Sequence, residues 1–156
     1  MTRVWARRGT RPRAPRDRRY QWAYLFGAVC PARAATAALV LPEANTQAMS
    51  LHLAEIARQV ATGSHAALVF DGAGYHGAIS LVVPDNITLI PLPPYAPEHN
   101  PDEFLNNDLK QAMARRRTPR DKIALKSSLT SYMRSLQRCP AKVRAFFQAP
   151  TVRYAA

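Results

Sequence analysis

The stretch that decides the fold is Ala66–Leu109, AALVFDGAGYHGAISLVVPDNITLIPLPPYAPEHNPDEFLNNDL. It contains two short apolar runs, Ala67–Phe70 and Ile87–Pro91, each of which leads into polar or turn-forming residues. Runs of this length and composition are typical of buried strands. Because α/β proteins collect ligands and catalytic groups where strands end, we expect a site just after them, beginning with Asp71.

The second run continues into a proline-rich segment that should hold the chain extended, because proline fixes φ and restricts the preceding residue. This segment delivers Asn100–Glu103 (NPDE) as the first turn of a helix. We therefore expect the strand end and the helix start to bring Asp71 and Glu103 together. Two carboxylates suit a hard divalent cation, and phosphodiester cleavage uses such ions to activate the attacking oxygen and stabilise the leaving one.

Each of these acids also has a structural interpretation. Asp71 precedes a glycine and could be a turn residue. Glu103 stands three residues after Asn100 and could be the reciprocal acid of a capping box, while Asp102 could simply complement the helix dipole. His76 should lie near the acids, where it could orient substrate or water or act as a hydrogen-bonded structural residue.

The pattern resembles the DDE transposases of mariner-like bacterial insertion sequences, whose catalytic domain has the ribonuclease H-like fold. The matching segments are FDGAGYH (Phe70–His76), LPPYAPEHNPDE (Leu92–Glu103) and LNNDLK (Leu105–Lys110). The resemblance implies that Asp71 and Glu103 are the second and third catalytic acids and bind Mg²⁺ or Mn²⁺. His76, Asn100 and Asp102 are possible supporting residues. His99 stands where an apolar residue is common in the family, and we assign it no role.

The family also needs a first Asp, on a strand that precedes the RVWARRG turn (Arg3–Gly9). Only Met1 and Thr2 stand before that turn here, and Asp17 follows it among arginines. We therefore expect an α/β fold with a ribonuclease H-like mixed sheet flanked by helices, in which the first strand is missing. Residues 1–19 should form a basic arm or turn, and residues 20–156 a partial catalytic domain.

The implied function is that of the C-terminal catalytic part of an insertion-sequence transposase, which cleaves and transfers DNA strands with a metal ion. Without the first Asp the isolated chain is expected to be inactive, and an upstream-encoded transposase segment would complete it. The alternatives are a non-catalytic DNA-binding remnant and a ribonuclease H-like nuclease. The complete protein is expected to be a homo-oligomer associated with the bacterial nucleoid in the cytoplasm.

Local patterns predict the remaining elements. Tyr20–Cys30 and Ala34–Leu41 read as neighbouring strands, and Asn45 caps a helix from Thr46 to about Ala61. A further helix is expected to begin at Thr118 as cap, with Pro119 in its first position. Trp22, Tyr24 and Phe26 alternate onto one face of the first strand, where we expect them to be core residues.

The charge indicates a polyanionic partner. The net charge is +12 and the pI is about 10.7, which favours double-stranded DNA over a merely solvated basic surface. Phosphate contacts are expected from two clusters: Arg7, Arg8 and Arg11, and Arg115, Arg116 and Arg117. The longest apolar run, Trp22–Cys30, is too short to cross a bilayer, which takes roughly 20 residues, so no membrane partner is expected.

Overall fold

The computed structural model describes residues 7–10, 22–71, 79–93, 97–116 and 119–155. Within these residues the chain forms four strands and four α-helices. In order they are β1 (Tyr24–Cys30), β2 (Ala35–Leu41), α1 (Thr46–Gln59), β3 (Ala66–Phe70), β4 (Ile87–Pro91), α2 (Asp102–Ala114), α3 (Lys122–Gln137) and α4 (Pro140–Ala145). Two 3₁₀ turns, Pro97–His99 and Pro150–Ala155, precede α2 and follow α4.

The strands pair in both senses, as a mixed α/β fold requires. β1 and β2 form an antiparallel hairpin, with Tyr24 opposite Leu41. β3 and β4 are parallel, with Ala66 opposite Ile87. The predicted α/β class is confirmed, but among the described residues the strands form two separate two-stranded sheets rather than one. The ribonuclease H-like arrangement therefore stays a prediction, as does the missing first strand.

Helix α1 gives the two sheets a common core. Asn45 caps it as predicted, because its Oδ1 accepts a hydrogen bond of 2.9 Å from the Ala48 amide. The buried stripe of Met49, Leu53 and Ile56 follows the predicted helical spacing. This stripe packs against buried residues of both sheets, including Phe26 of β1 and Ile87 of β4.

Helices α2, α3 and α4 cover the other face of the β1–β2 hairpin. Their buried side chains form a second core cluster with two phenylalanines that directly follow α4: Leu105, Leu109, Leu129, Tyr132, Met133, Leu136 and Val143, and then Phe146 and Phe147. Asp108 of α2 ties the three helices together, because it accepts a hydrogen bond from Tyr132 of α3 and pairs with Lys142 of α4 at 2.5 Å. Gln137 secures α3 to β2 by donating to the Thr36 carbonyl at 3.0 Å.

The start of α3 differs from the prediction. The helix begins at Lys122, and Asp121 is its cap, with its carboxylate accepting a 2.7 Å hydrogen bond from the Ala124 amide. Pro119 lies before the helix, and Thr118 is outside the described residues. An aspartate in an extended conformation satisfies the first-turn amides as well as a threonine would, and Asp121 takes the capping role that was predicted for Thr118.

The first strand is less buried than its pattern indicates. Phe26 is in the core, but Trp22 is 66% exposed and Tyr24 is 41% exposed. Both border a surface depression beside Asn45 and the exposed Lys122. Alternation fixes which face a side chain lies on, but not how far the covering helix extends. The expectation that Trp22 and Tyr24 are core residues was therefore wrong.

In the part of the chain that the structure describes, every helix is too short or too polar to cross a bilayer.

Candidate active site

Asp71 directly follows β3, as the sequence predicts, and it is exposed. The end of the strand is fixed by the Leu92 amide, which donates a 2.8 Å hydrogen bond to the Phe70 carbonyl. Asp71 lines a cavity of about 230 Å³ between β1, β3, α1 and the beginning of α2. The other lining residues include Gly27, His52, Asn100, Asp102 and Asn106.

The first turn of α2 is built as the NPDE motif predicts. Asn100 uses its side-chain oxygen to accept the Asp102 amide at 3.0 Å, and its carbonyl accepts the Glu103 amide at 3.1 Å. Pro101 occupies the N-cap position and is buried, and no side-chain capping bond is formed there. Asn100 therefore holds the turn that places two acids next to each other at the helix start.

Gly27 lets this turn come close to the backbone of β1. A Cβ at position 27 would lie 3.2 Å from Leu105 Cδ2 and 3.4 Å from Asp102 Oδ1. The first distance is tighter than most real contacts, so Leu105 would have to shift by a few tenths of an ångström, whereas the second is an ordinary van der Waals contact. The first turn of α2 therefore packs directly against the backbone of β1 at Gly27.

Asp102 is electrostatically the most perturbed acid of the site. Burial raises its pKa from 3.8 to about 7, with further contributions from the negative charges of Glu103 and Asp71. Its Oδ1 is buried and has no hydrogen-bond partner among the described residues. With this pKa, the Asp102 carboxyl is partly protonated near neutral pH. Its buried Oδ1 is a hydrogen-bond acceptor that none of the described residues uses.

Glu103 lies next to this cavity rather than in its lining. It borders a neighbouring depression of about 280 Å³ together with Glu98, Phe104, Asn107 and Thr151. Among the residues that the structure describes, no three acidic, histidine or cysteine side chains are arranged to hold a metal ion. The structure thus brings Asp71, Asn100 and Asp102 around one cavity, and the pairing of Asp71 with Glu103 stays a prediction.

The histidines have different positions. His76 lies outside the described residues. His99 Nδ1 is 3.0 Å from the Thr151 carbonyl, and the His99 carbonyl accepts a 2.5 Å hydrogen bond from Tyr154, so this residue ties the C-terminal turn to the segment before α2. His52 was missed: it is 3% exposed and lines the Asp71 cavity. The sequence signal that could have shown its burial is its position on the apolar stripe of α1, three residues after Met49.

The predicted basic residues are on the surface where they are described. Arg7, Arg8, Arg115 and Arg116 are exposed, whereas Arg11 and Arg117 lie outside the described residues. Arg116 also donates a 3.3 Å hydrogen bond to the Ser128 carbonyl.

A third basic surface on α3 was missed. Lys126, Thr130, Arg134 and Arg138 recur every four residues and line a shallow groove on the helix surface. This spacing places them along one face of the helix, and it was readable from the sequence.

The region with these features matches a known family, and the match includes both acidic motifs. The chain belongs to the DDE superfamily endonucleases, whose family model matches residues 1–126. Among curated proteins it is similar to "Uncharacterized protein y4pE/y4sA" of Sinorhizobium fredii (strain NBRC 101917 / NGR234), with 58% identity over 82 residues. That alignment covers 53% of this chain and 61% of the relative, so the chain spans less than two thirds of the relative's length. No solved structure matches significantly.

The resemblance seen in the sequence is therefore confirmed at the level of the DDE superfamily. The narrower assignment to mariner-like insertion sequences and the truncation stay predictions.

Proposed function

We propose that this chain is the C-terminal catalytic part of a mariner-like insertion-sequence transposase, which cleaves and joins double-stranded DNA. One observation carries the proposal: the family match includes both acidic motifs, and Asp71 ends a strand beside the cavity that the first turn of α2 borders. The complete enzyme is proposed to act as a homo-oligomer on the bacterial nucleoid.

Asp71 and Glu103 are the proposed ligands of Mg²⁺ or Mn²⁺. Members of the DDE superfamily generally use divalent metal ions, and carboxylate oxygens are ligands of the right hardness. Asp102 Oδ1 is buried and has no hydrogen-bond partner among the described residues, which fits a site where a cation would bind. When bound, the ions would supply Lewis-acid activation of the attacking and leaving oxygens.

The chain's own residues prepare this site in two ways. Asn100 fixes the first turn of α2, so that the acid side chains start from a rigid backbone. Asp102 is partly protonated near neutral pH, which reduces the negative charge beside Asp71 and Glu103 in the absence of a cation. The rigid turn and the partial protonation both help to keep the acids close together despite the repulsion between their negative charges.

The first catalytic acid is proposed to come from an upstream-encoded segment, because a two-metal site needs more ligands than the two carboxylates of Asp71 and Glu103 provide.

DNA is proposed to lie on the basic surfaces. The net charge is +12, and Arg115 and Arg116 are exposed just beyond the C-terminal end of α2. Lys126, Arg134 and Arg138 extend this charge along α3. Neutralisation of phosphates by such side chains gives affinity that depends strongly on salt.

The experiment is cleavage of DNA carrying the element's ends, with and without the upstream segment, in Mg²⁺ and in Mn²⁺. We expect no cleavage by residues 1–156 alone and metal-dependent nicking after the segment is added. Asp71→Asn and Glu103→Gln should each abolish nicking, while Asp85→Asn, an exposed acid outside the cavity, should not. Nicking that survives both active-site substitutions would contradict the assignment.

A second candidate is a non-catalytic DNA-binding remnant. It is favoured by the exposed Arg115 and Arg116 and by the basic groove on α3, which need no metal ion to contact phosphates. It predicts salt-dependent DNA binding with no cleavage under any combination of metal and upstream segment, so the same assay separates the two.

A further inference from the structure

Two exposed aromatic side chains lie together at the start of β1. Trp22 is 66% exposed and Tyr24 is 41% exposed, and both line one open depression of about 620 Å³. Trp and Tyr combine a large apolar ring with a polar group, which is why they are enriched at binding surfaces. We call this surface the aromatic depression; its lining also includes Pro42, Glu43 and Lys122.

The rim of the aromatic depression carries one group of each charge. Lys122 is an exposed cation, and Glu43 is an exposed acid whose Oε2 accepts a 2.8 Å hydrogen bond from Asn45. A phosphate placed here would be repelled by Glu43, whereas a neutral ring with donors and acceptors on its edge complements both groups. A nucleobase has this chemistry, because it combines an apolar face with a hydrogen-bonding edge.

The aromatic depression adjoins the basic groove of α3. Lys122 lines the depression, and Ile123, the next residue along the helix, lines the groove. The groove then follows α3 as far as Arg138. The two surfaces therefore meet at the first turn of α3, where one ligand can contact both.

The basic groove has the chemistry that phosphates require. Its lining contains three cations and four hydroxyl groups: Lys126, Arg134 and Arg138, and Ser127, Thr130, Ser131 and Ser135. Cationic and hydroxyl side chains are common partners of phosphate oxygens in protein–DNA complexes. A DNA strand whose phosphates lie on this groove can place a base in the aromatic depression.

The aromatic depression is also close to the candidate active site. Tyr24 precedes Gly27 by three residues, which is about 10 Å along a strand, and Gly27 borders the cavity of Asp71. A base held beside Tyr24 would therefore keep its DNA strand unpaired near the proposed catalytic acids.

We infer that the aromatic depression binds one unpaired nucleobase of a DNA strand whose phosphates lie on the basic groove of α3. The base stacks on Trp22 and Tyr24, and its edge faces Lys122 and Glu43. A proline-rich peptide also packs on aromatic side chains, but it offers no partner to the adjoining cations of α3. The inference rests on the proposed DNA substrate, and it adds that this substrate is partly single-stranded where the chain holds it.

The test compares three DNA probes that share one duplex, each titrated with the 156-residue chain in EDTA. One has blunt ends, one has a short single-stranded overhang, and one has the same overhang made of abasic nucleotides. The two overhangs carry equal charge, so a difference between them reports on the bases alone. We expect the overhang with bases to bind about tenfold more tightly than the abasic overhang, as one stacked base provides. Equal affinities would overturn the proposal.

Trp22 provides a direct signal for the stacked base. The chain has two tryptophans, so Trp5→Phe leaves Trp22 as the only indole fluorophore. Its fluorescence should be quenched by the overhang with bases and not by the abasic overhang. Equal quenching by both overhangs would contradict stacking on Trp22. Quenching by a proline-rich peptide and by none of the DNA probes would assign the depression to a protein partner and overturn the inference.

A matched pair of variants tests the same contact from the protein side. Trp22→Ala and Leu51→Ala each remove an exposed apolar side chain, and Trp22, unlike Leu51, lines the aromatic depression. The preference for bases should be lost in Trp22→Ala and kept in Leu51→Ala, with circular dichroism confirming the fold. Equal preferences in the two folded variants would refute the inference, and the fluorescence comparison decides the question if Trp22→Ala does not fold.

Salt separates the base contact from the phosphate contacts. Stacking is not ionic, so the preference for bases should persist while the affinity for all three probes falls with rising salt. Changing Arg134 and Arg138 together to Gln should reduce the salt slope by about 2 and leave that preference unchanged. A preference that disappears in high salt would be electrostatic and would contradict stacking. These measurements need neither metal nor cleavage, so base binding and catalysis can fail independently.

Discussion

Replacing Asp102 by Asn is expected to stabilise the chain, and to do so more at pH 8 than at pH 5.5. The pKa of Asp102 is raised from 3.8 to about 7, mainly by burial and then by the charges of Glu103 and Asp71. A raised pKa means that the Asp102 carboxyl loses its proton more easily in the unfolded chain than in the folded one. This group therefore costs nothing below pH 3.8, an increasing amount between pH 3.8 and 7, and a constant amount above pH 7.

The size of the effect follows from the shift of about three pKa units. At 1.36 kcal/mol per unit, the ionised form of Asp102 destabilises the folded state by about 4 kcal/mol above pH 7. At pH 5.5 roughly half of that cost is present. Because small domains have a free energy of unfolding of about 5–15 kcal/mol, the difference is large enough to measure.

The assay is urea unfolding in EDTA at both pH values, for the wild type, Asp102→Asn and the surface control Asp85→Asn. The Asn side chain keeps the shape of Asp, so titration of the groups that do not interact with Asp102 cancels in the comparison. The gain in the free energy of unfolding should be about 2 kcal/mol larger at pH 8 than at pH 5.5 for Asp102→Asn. The control should show no such gain. A pH-independent gain, or a loss at pH 8, would refute the burial argument.

Three further variants test the packing and the charged surface. Gly27→Val should lower the free energy of unfolding by about 1–3 kcal/mol, because even a Cβ would lie 3.2 Å from Leu105. Urea unfolding measures this change, and an unchanged midpoint would argue against a close approach of α2 to β1. Asp108→Asn should lower the melting temperature at pH 7 but much less at pH 3. Although burial opposes ionisation, hydrogen bonds from Lys142 and Tyr132 hold the Asp108 pKa below its ordinary value, so its contribution to stability is present above pH 3.8 and is lost as pH falls through the folded pKa. Equal losses at both pH values would contradict this. Changing Arg115 and Arg116 together to Gln should reduce the salt slope of duplex DNA binding by about 2, and an unchanged slope would exclude these residues as phosphate contacts.

Local signals predicted the elements well where one residue decides the structure. Asn45 capped α1, the strand run ended at Phe70, and the NPDE turn started α2. The predicted start of α3 was wrong because Asp121, three residues after the predicted cap Thr118, is an equally good capping residue. Their intrinsic preferences are similar, and local sequence does not rank them.

Features that depend on distant packing could not be predicted. The exposure of Trp22 and Tyr24 depends on which elements cover the beginning of β1. The separation of the strands into two sheets is a property of pairing between residues far apart in sequence. Burial of Asp102 depends on packing against Gly27, which lies in another element. Periodicity within one segment contains none of this information.

The orientation of α2 about its axis explains which acid enters the Asp71 cavity. Leu105 and Leu109 are buried, and Asp102 precedes them by three and seven residues, so all three lie on one helical face. Burying the two leucines against the hairpin therefore carries Asp102 towards β1, where the absence of a side chain at Gly27 admits it. Glu103 is one residue, or about 100°, further round the helix and borders the adjacent depression. For Glu103 to share a cation with Asp71, its longer side chain must reach around Asp102. Shortening it, by Glu103→Asp, should then reduce metal-dependent nicking by the completed enzyme as severely as Glu103→Gln, whereas Asp102→Glu should affect mainly stability. If Glu103→Asp retains full activity, the reach argument fails and Asp102 becomes the better candidate for the third acid.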